Sequence, residues 1–466
     1  MINRGTINSI FERLRAELGD ASVTRDGDIL AAYSRDETSD LAAAPDILVR
    51  ARSATDVAAV MRACNERRVP VVPRGAGTGV TGGAVATAGG VVLSLERMNR
   101  IIEIDAKNMI AVVEPGAITG EIQRSAAAAG LMYPPDPASL DSCSIGGNIA
   151  EGAGGPRAVK YGTTKDYVTG LEFVTPEGHI ITAGGKYVKN ATGYNLVGAI
   201  IGSEGTLVVV TKIFLKLLPA PRASLDLLVP FDSLDSAVDT VTAILHSGVL
   251  PAAIEFMEAD AIDLVATFLH TAMPFPDARA HLLIQLDGAS TAEVEHATET
   301  IARVLPVPAE RVIAAQDPAQ RERIWKARRS IREAIHAESP VFLAEDSVVP
   351  RNEIPAFLAD VKAELQRRAL RSVMFGHAGD GNVHIDVLKG AMDDAQWGAL
   401  VPELKGMIYR AAIARGGTIT GEHGTGFTRK RYLGLAYSAE AIELMRRIKT
   451  AFDPNGILNP GKIIDG

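Results

Sequence analysis

The chain has 466 residues, 47% of them apolar and 22% charged, with a formal net charge of -8 at pH 7. A single hydrophobic core stops growing at roughly 250–300 residues, so more than one domain is expected. The acidic balance excludes the basic footprint of a nucleic-acid partner, and no apolar run reaches the ~18 residues of a membrane span.

The opening residues Met1-Ile2-Asn3-Arg4-Gly5 lack the apolar block of a secretory signal. Cys64 and Cys143 are the only cysteines and cannot build a disulfide framework. These features point to a reducing, cytoplasmic setting, within the cytoplasm or peripheral to the inner membrane. Ile7, Ile10, Phe11, Leu14 and Leu18 share one face of a helix over 7–18. From 45 to 221 short apolar strands (46–50, 69–72, 90–95, 207–211) alternate with glycine loops, and helices are sparse, one at 55–67 and one at 118–129. This mixture reads as α+β rather than a doubly wound sheet.

The texture changes at Pro219-Ala220-Pro221. Beyond it come a strand at 225–230, a helix at 233–247 capped by Asp232 or Ser233, a strand at 281–287 and a helix at 291–304. Two strand–helix units in series predict a ferredoxin-like sandwich. A basic helix at 320–336 follows, then strands at 372–377 and 382–387 joined by Gly379-Asp380-Gly381, a helix at 396–415 and a tail over 453–462. The expected division is 1–221, holding the N-terminal helix and a core at 45–221, then 222–410, then a segment 411–466 that packs back on the first domain.

Gly77-Thr78-Gly79-Val80-Thr81-Gly82 imitates a dinucleotide-binding G-x-G-x-x-G, with Glu96 about 20 residues on. The crossover fails: only a glycine-rich stretch without large apolar residues separates this loop from the next strand, and it makes a poor helix. The run Pro73-Arg74-Gly75-Ala76-Gly77-Thr78-Gly79 instead can offer bare backbone N–H groups to a pyrophosphate, or can be a plain hairpin loop. Further glycine loops at 144–155 and 201–207 suit a large, extended cofactor lying against backbone.

Gly376-His377-Ala378-Gly379-Asp380-Gly381-Asn382-Val383-His384 and Gly421-Glu422-His423-Gly424 carry three of the nine histidines. Two imidazoles and a carboxylate form the ligand set of an open transition-metal site. His377 and His384 flank a tight turn, so two facing strand ends can aim both rings at one point, while Glu422 arrives from a separate loop. The bland alternative is a structural turn merely lined by histidines. His423 remains to move a proton. His179, His246, His270, His281, His296 and His336 have no partner at ligand spacing, and Cys143 reads as a small packing residue.

On these motifs residues 45–221 resemble the FAD-binding domain of the p-cresol methylhydroxylase and vanillyl-alcohol oxidase superfamily. The marks are the 73–79 loop, Ile145-Gly146-Gly147-Asn148 and Gly202-Ser203-Glu204-Gly205-Thr206. Residues 222–466 resemble the C-terminal domain of FAD-linked 2-hydroxyacid dehydrogenases, through the histidine turn, the Glu-His loop and the Asn459-Pro460-Gly461-Lys462 tail. The fold this implies is α+β: a two-subdomain FAD-binding domain, a ferredoxin-like cap domain and a C-terminal segment.

The resemblance implies oxidation of a 2-hydroxy acid to a 2-oxo acid by hydride transfer to FAD. FAD would contact Pro73, Arg74, Gly75, Ala76, Gly77, Thr78, Gly79, Ser144, Ile145, Gly146, Gly147, Asn148, Gly202, Glu204, Gly205 and Asn459. Some relatives tether the flavin through a histidine in the first loop; Thr78 stands there, so non-covalent FAD is expected. It also implies a divalent metal on His377, His384 and Glu422, for which zinc suits best and manganese or iron(II) also fit. His423 is then the base. Trp325-Lys326-Ala327-Arg328 matches the family's tryptophan-to-arginine motif, with Arg328 clamping the substrate carboxylate, although the surrounding arginines also fit a solvated basic helix.

The hydroxyglutarate branch of the family carries a threonine where Arg332 stands, a lysine near Ala344-Glu345 and an asparagine at Asp386. The missing lysine and the added charge of Asp386 favour a small D-2-hydroxy acid, D-lactate or glycolate, while Arg332 offers a cation for a distal carboxylate. D-2-hydroxyglutarate, direct oxidation by oxygen and a non-catalytic subunit are the alternatives. The electron acceptor is expected to be a quinone, a cytochrome, an electron-transfer flavoprotein or an iron–sulfur subunit, and a homodimer is the default assembly.

Overall fold

The computed structural model describes residues 3–465; Met1, Ile2 and Gly466 lie outside them, so the first two residues read for a targeting signal are not described. The chain forms two compact units. One joins Met1–Ala153, Thr163–Ala220 and Glu422–Gly466, and the other joins Gly154–Gly162 and Pro221–Gly421. The expected break at 410/411 falls inside the helix Asp394–Ala414. Among the described residues no helix is long and apolar enough to cross a membrane.

The first unit holds strands β1 (Val23–Thr24), β2 (Ile47–Arg50), β3 (Val71–Arg74), β4 (Val91–Ser94), β5 (Ile101–Asp105), β6 (Ile110–Val113), β7 (Leu131–Met132), β8 (Val168–Val174), β9 (Ile180–Gly184), β10 (Val209–Lys216) and β11 (Leu218–Pro219). The order β1-β2-β4-β3 makes one sheet, parallel at β2/β4 and β3/β4. Ile47, Leu48, Val49 and the whole of β4 are buried, as expected of parallel strands covered on both faces. The helices Arg4–Leu18 and Ala54–Arg67 supply much of the core against them. Ser53 caps the second helix by accepting the Asp56 N–H at 3.1 Å. A second sheet, β5-β6-β10-β8-β9, is antiparallel. Its central β10 alternates buried Val209, Thr211, Ile213 and Leu215 with less buried neighbours, the period of a strand with one covered face. The tail returns to β3, where Val71 bridges Leu458.

The second unit holds β12 (Ala223–Phe231), β13 (Ala253–Glu258), β14 (Ala280–Gly288), β15 (Ile313–Ala315), β16 (Phe342–Val348), β17 (Ser372–His377) and β18 (Asn382–Leu388). They form one antiparallel sheet in the order β15-β12-β14-β13-β17-β18-β16. Gly154–Gly162 belongs here because Lys160 and Tyr161 bind Asp287 on β14 and Arg157 Nε donates to Gln285 at 3.3 Å.

Three expectations change in detail. The basic helix of 320–336 is two helices, Pro318–Arg329 and Ile331–Glu338, meeting at Ser330. The glycine loop at 144–155 opens with a short helix, Ile145–Glu151. Strand β13 and the helix Ala259–Phe268, which the sequence reading passed over, complete the sandwich.

Candidate active site

Antiparallel register places Phe375 opposite His384 and His377 opposite Asn382, so both histidines share one face of the sheet. The turn between them is closed by Asp380, whose Oδ1 accepts the Asn382 N–H at 3.1 Å. Gly381 has φ +90°, and a Cβ there would run into the Val349 carbonyl oxygen, so the tight turn requires glycine. The two imidazole centroids lie 5.3 Å apart, edge to face at 85°. Asp346, opposite His384 on β16, accepts the Gly421 N–H at 2.9 Å and the Thr420 hydroxyl at 3.1 Å. It thereby fixes the residue to which Glu422 is bonded. One ligand atom each from His377, His384 and Glu422 lies within 4.8 Å of the others. His423 Nε2 stands 3.9 Å from Glu422 Oε1, beyond hydrogen-bond reach of that carboxylate.

The same sheet face carries Asp226 on β12, Gln285 on β14, Glu255 on β13 and Asp386 on β18. Arg321, Trp325, Arg328 and Arg332, spaced four, three and four residues apart, bring one helical face to them. Arg321 Nε and Trp325 Nε1 reach Asp226 Oδ2 at 2.8 and 3.0 Å. Arg328 pairs with Glu255 Oε2 at 2.7 Å and lies 4.7 Å over the Phe375 ring. Arg332 approaches Asp386 only to 3.7 Å.

Glu255 was not singled out in the sequence. Its Oε1 lies 2.7 Å from His377 Nδ1, so one fully buried carboxylate joins the expected metal ligand to the expected substrate arginine. A carboxylate behind a ligating imidazole fixes its tautomer and raises its basicity. The available signal was an acidic residue within the otherwise apolar Ala253-Ile254-Glu255-Phe256-Met257. The donor set and this support both fit a divalent ion. Arg328 Nε is buried without an acceptor among the described residues, as a group reserved for a ligand would be.

In the first unit the three glycine loops converge. Pro73 and Arg74 end β3, and Gly75, Ala76, Gly77, Thr78 and Gly79 follow as a loop. Ser144 precedes the first helical residues Ile145, Gly146, Gly147 and Asn148, and its Oγ accepts the Ala76 N–H at 3.2 Å. Asn459 Nδ2 donates to the carbonyls of Gly83 at 2.9 Å and Glu204 at 2.8 Å, tying the stretch after the first loop to the loop that holds Gly202, Glu204 and Gly205. The N–H groups of Gly77, Thr78 and Gly79 take no acceptor from the described residues, which fits a backbone cradle for an anionic cofactor.

The Arg74 side chain donates to the Arg35 carbonyl at 2.8 Å beneath Tyr33, and burial lowers its pKa. The Glu204 carboxylate turns inward to the N–H groups of Thr425 and Gly426. Burial pushes it up, to about 7, against those hydrogen bonds. Lys462, holding the Val85 carbonyl at 2.8 Å, is pushed down by burial to about 8.

Residues 45–184 match the FAD binding domain family, and residues 220–463 match the family described as FAD linked oxidases, C-terminal domain. Over 432 residues the chain is 39% identical to the glycolate oxidase subunit GlcD of Bacillus subtilis (strain 168), covering 92% of this chain and 91% of that one. It is 38% identical to a D-lactate dehydrogenase of Anaerostipes hadrus, covering 90% of each. A substrate-bound crystal structure of p-cresol methylhydroxylase superposes with TM-score 0.82 at 21% identity, over 100% of this chain and 98% of that one. The fold is thus of the p-cresol methylhydroxylase type, and the chain belongs to the FAD-linked oxidases, as an FAD-linked oxidoreductase.

Proposed function

We propose that the chain oxidises a small D-2-hydroxy acid, D-lactate or glycolate, to its 2-oxo acid, using non-covalent FAD and a divalent ion. The carrying observation is the convergence of His377, His384 and Glu422 within 4.8 Å, backed by Glu255 on His377. The printed names of the two relatives, a glycolate oxidase subunit and a D-lactate dehydrogenase, support this substrate class.

FAD, when bound, supplies the hydride acceptor that no side chain can provide. A divalent ion on His377, His384 and Glu422, zinc foremost and manganese or iron(II) next, would supply Lewis acidity toward the substrate hydroxyl and carboxylate. His423, adjacent to Glu422, takes the hydroxyl proton as the general base. Arg328 keeps one arm of its guanidinium on Glu255 and offers its buried Nε to the substrate carboxylate. Phe375 covers the guanidinium face and keeps water from it. Thr78 leaves the first loop without a nucleophilic tether for the flavin. Electrons then pass to a separate acceptor: a quinone, a cytochrome, an electron-transfer flavoprotein or an iron–sulfur subunit. The free, buried Cys64 and Cys143 fit a reducing cytoplasm.

A second reading, D-2-hydroxyglutarate as substrate, is favoured by Arg332, whose side chain is 41% exposed and comes no nearer to Asp386 than 3.7 Å, which leaves its guanidinium able to receive a distal carboxylate. Dye-coupled turnover of D-lactate, glycolate and D-2-hydroxyglutarate tests both readings. Loss of roughly 100-fold or more in His423→Ala is expected for a general base; undiminished turnover refutes that role. Peroxide formed in air without dye would identify an oxidase instead.

A further inference from the structure

The function just proposed makes no use of the Glu204 carboxylate. It lies in the third glycine loop, with its backbone at φ +51° and its side chain buried. Both oxygens are committed: Oε1 accepts the Thr425 N–H at 2.7 Å and Oε2 the Gly426 N–H at 2.7 Å. These donors follow directly on Glu422-His423-Gly424. Gly424 is packed so closely that a Cβ would run into the Glu151 carboxylate. Arg429, 2% exposed, donates to the Gly424 carbonyl at 3.0 Å. Thr81, next to the first glycine loop, accepts the Phe427 N–H at 2.8 Å. The Glu204 carbonyl is held by Asn459, which also holds Gly83. Arg429 and Lys462 supply the positive charge that faces the carboxylate.

A buried side chain with one backbone donor on each oxygen, both at 2.7 Å, is a rigid joint, because two separate hydrogen bonds fix its position and its plane. Its two ends differ in kind. One is a loop of the FAD-binding family domain's own unit; the other is the backbone that sets the aim of Glu422 and His423. We infer that Glu204 is a positioning residue that makes the glycine loop at 202–206 and the Glu422–His423 loop move as one body. Flavin seating and metal-ligand geometry are then coupled through it. The inference rests on the metal reading above but not on the identity of the substrate. A catalytic group displaced by about 1 Å can lose about 100-fold in rate, so a joint of this kind has catalytic consequences without touching substrate.

The test uses Glu204→Gln and Glu204→Asp in the flavin-loaded full chain, with zinc affinity by equilibrium dialysis, flavin content, and kcat and KM for D-lactate. The glutamine amide sets its own N–H against one of the two backbone donors. The expected result is retained flavin, zinc affinity weaker by about 10–100-fold, and a fall in kcat that exceeds the change in KM. Glu204→Asp, which keeps both acceptors on a shorter stem, should restore part of the zinc affinity. Unchanged zinc affinity and kcat in Glu204→Gln overturn the inference. So does joint loss of flavin and zinc that Glu204→Asp does not relieve, since that marks a residue needed only for folding. A wild-type chain that takes up none of zinc, manganese or iron(II) refutes the metal reading and this inference with it. A wild type that binds zinc but leaves D-lactate unoxidised refutes only the substrate, and the zinc measurement still decides the role of Glu204.

Discussion

Glu255 Oε1 stands 2.7 Å from His377 Nδ1 while Glu255 Oε2 stands 2.7 Å from Arg328. One buried carboxylate therefore governs the ring orientation of a proposed metal ligand and the anchoring of a proposed substrate clamp. Glu255→Gln should weaken zinc binding about 10–100-fold. It should also cost stability of roughly 3–5 kcal/mol, because Arg328 is left buried without its anion. Isothermal titration with zinc and a thermal melt check both; unchanged zinc affinity would show that His377 does not depend on Glu255.

Arg328→Lys keeps a cation for Glu255 and removes the fork that presents Nε. A charge-assisted hydrogen bond contributes about 1.5–3 kcal/mol, so kcat/KM for D-lactate should fall about 10–100-fold. The loss should lie mainly in KM if the grip on the carboxylate is equal before and during reaction. A variant with wild-type KM and kcat would return Arg328 to a structural role.

Thr78 predicts that flavin leaves with the solvent. Acid precipitation of the protein should release all the yellow colour to the supernatant. Colour retained in the washed pellet would mean a covalent bond to some other residue.

His281, fully buried on β14, is held neutral by burial, with its pKa lowered to about 4; Asp277 and Arg311 are the charged groups that act on it. The unfolded chain binds a proton on this ring below about 6.5 and the native chain does not. Its contribution is therefore fully present above pH 6.5 and drains away as the pH falls toward 4, by up to about 3 kcal/mol. His281→Phe should flatten the acid limb of a stability-versus-pH curve measured by urea unfolding. An unchanged acid limb would contradict the assignment.

Much of the fold is legible in the sequence. The His377 and His384 pair announced itself because a Gly-Asp-Gly turn between two strands leaves few ways for the rings to point. The helices Ala54–Arg67 and Thr291–Val304 have strong caps and clear periodicity, and their ends match the reading to within a residue. Glu255 escaped because its meaning depends on β13 lying beside β17, a pairing across more than a hundred residues that local pattern cannot reveal. The Gly154–Gly162 excursion escaped for the same reason: its anchors, Gln285 and Asp287, lie far along the chain. The break at Ser330 was hidden because Arg328 and Arg332 continue one helical face across it. The inward contacts of the Glu204 carboxylate are not legible in the sequence, since an acidic residue among glycines reads as part of a cofactor loop.

The most direct test is anaerobic visible spectroscopy of the zinc-loaded, flavin-loaded protein with D-lactate, glycolate and D-2-hydroxyglutarate added in turn. The account predicts prompt loss of the oxidised flavin band with D-lactate or glycolate, and loss of that response after chelation of the metal. A flavin band that none of the three bleaches, or one that bleaches equally well after chelation, would contradict it.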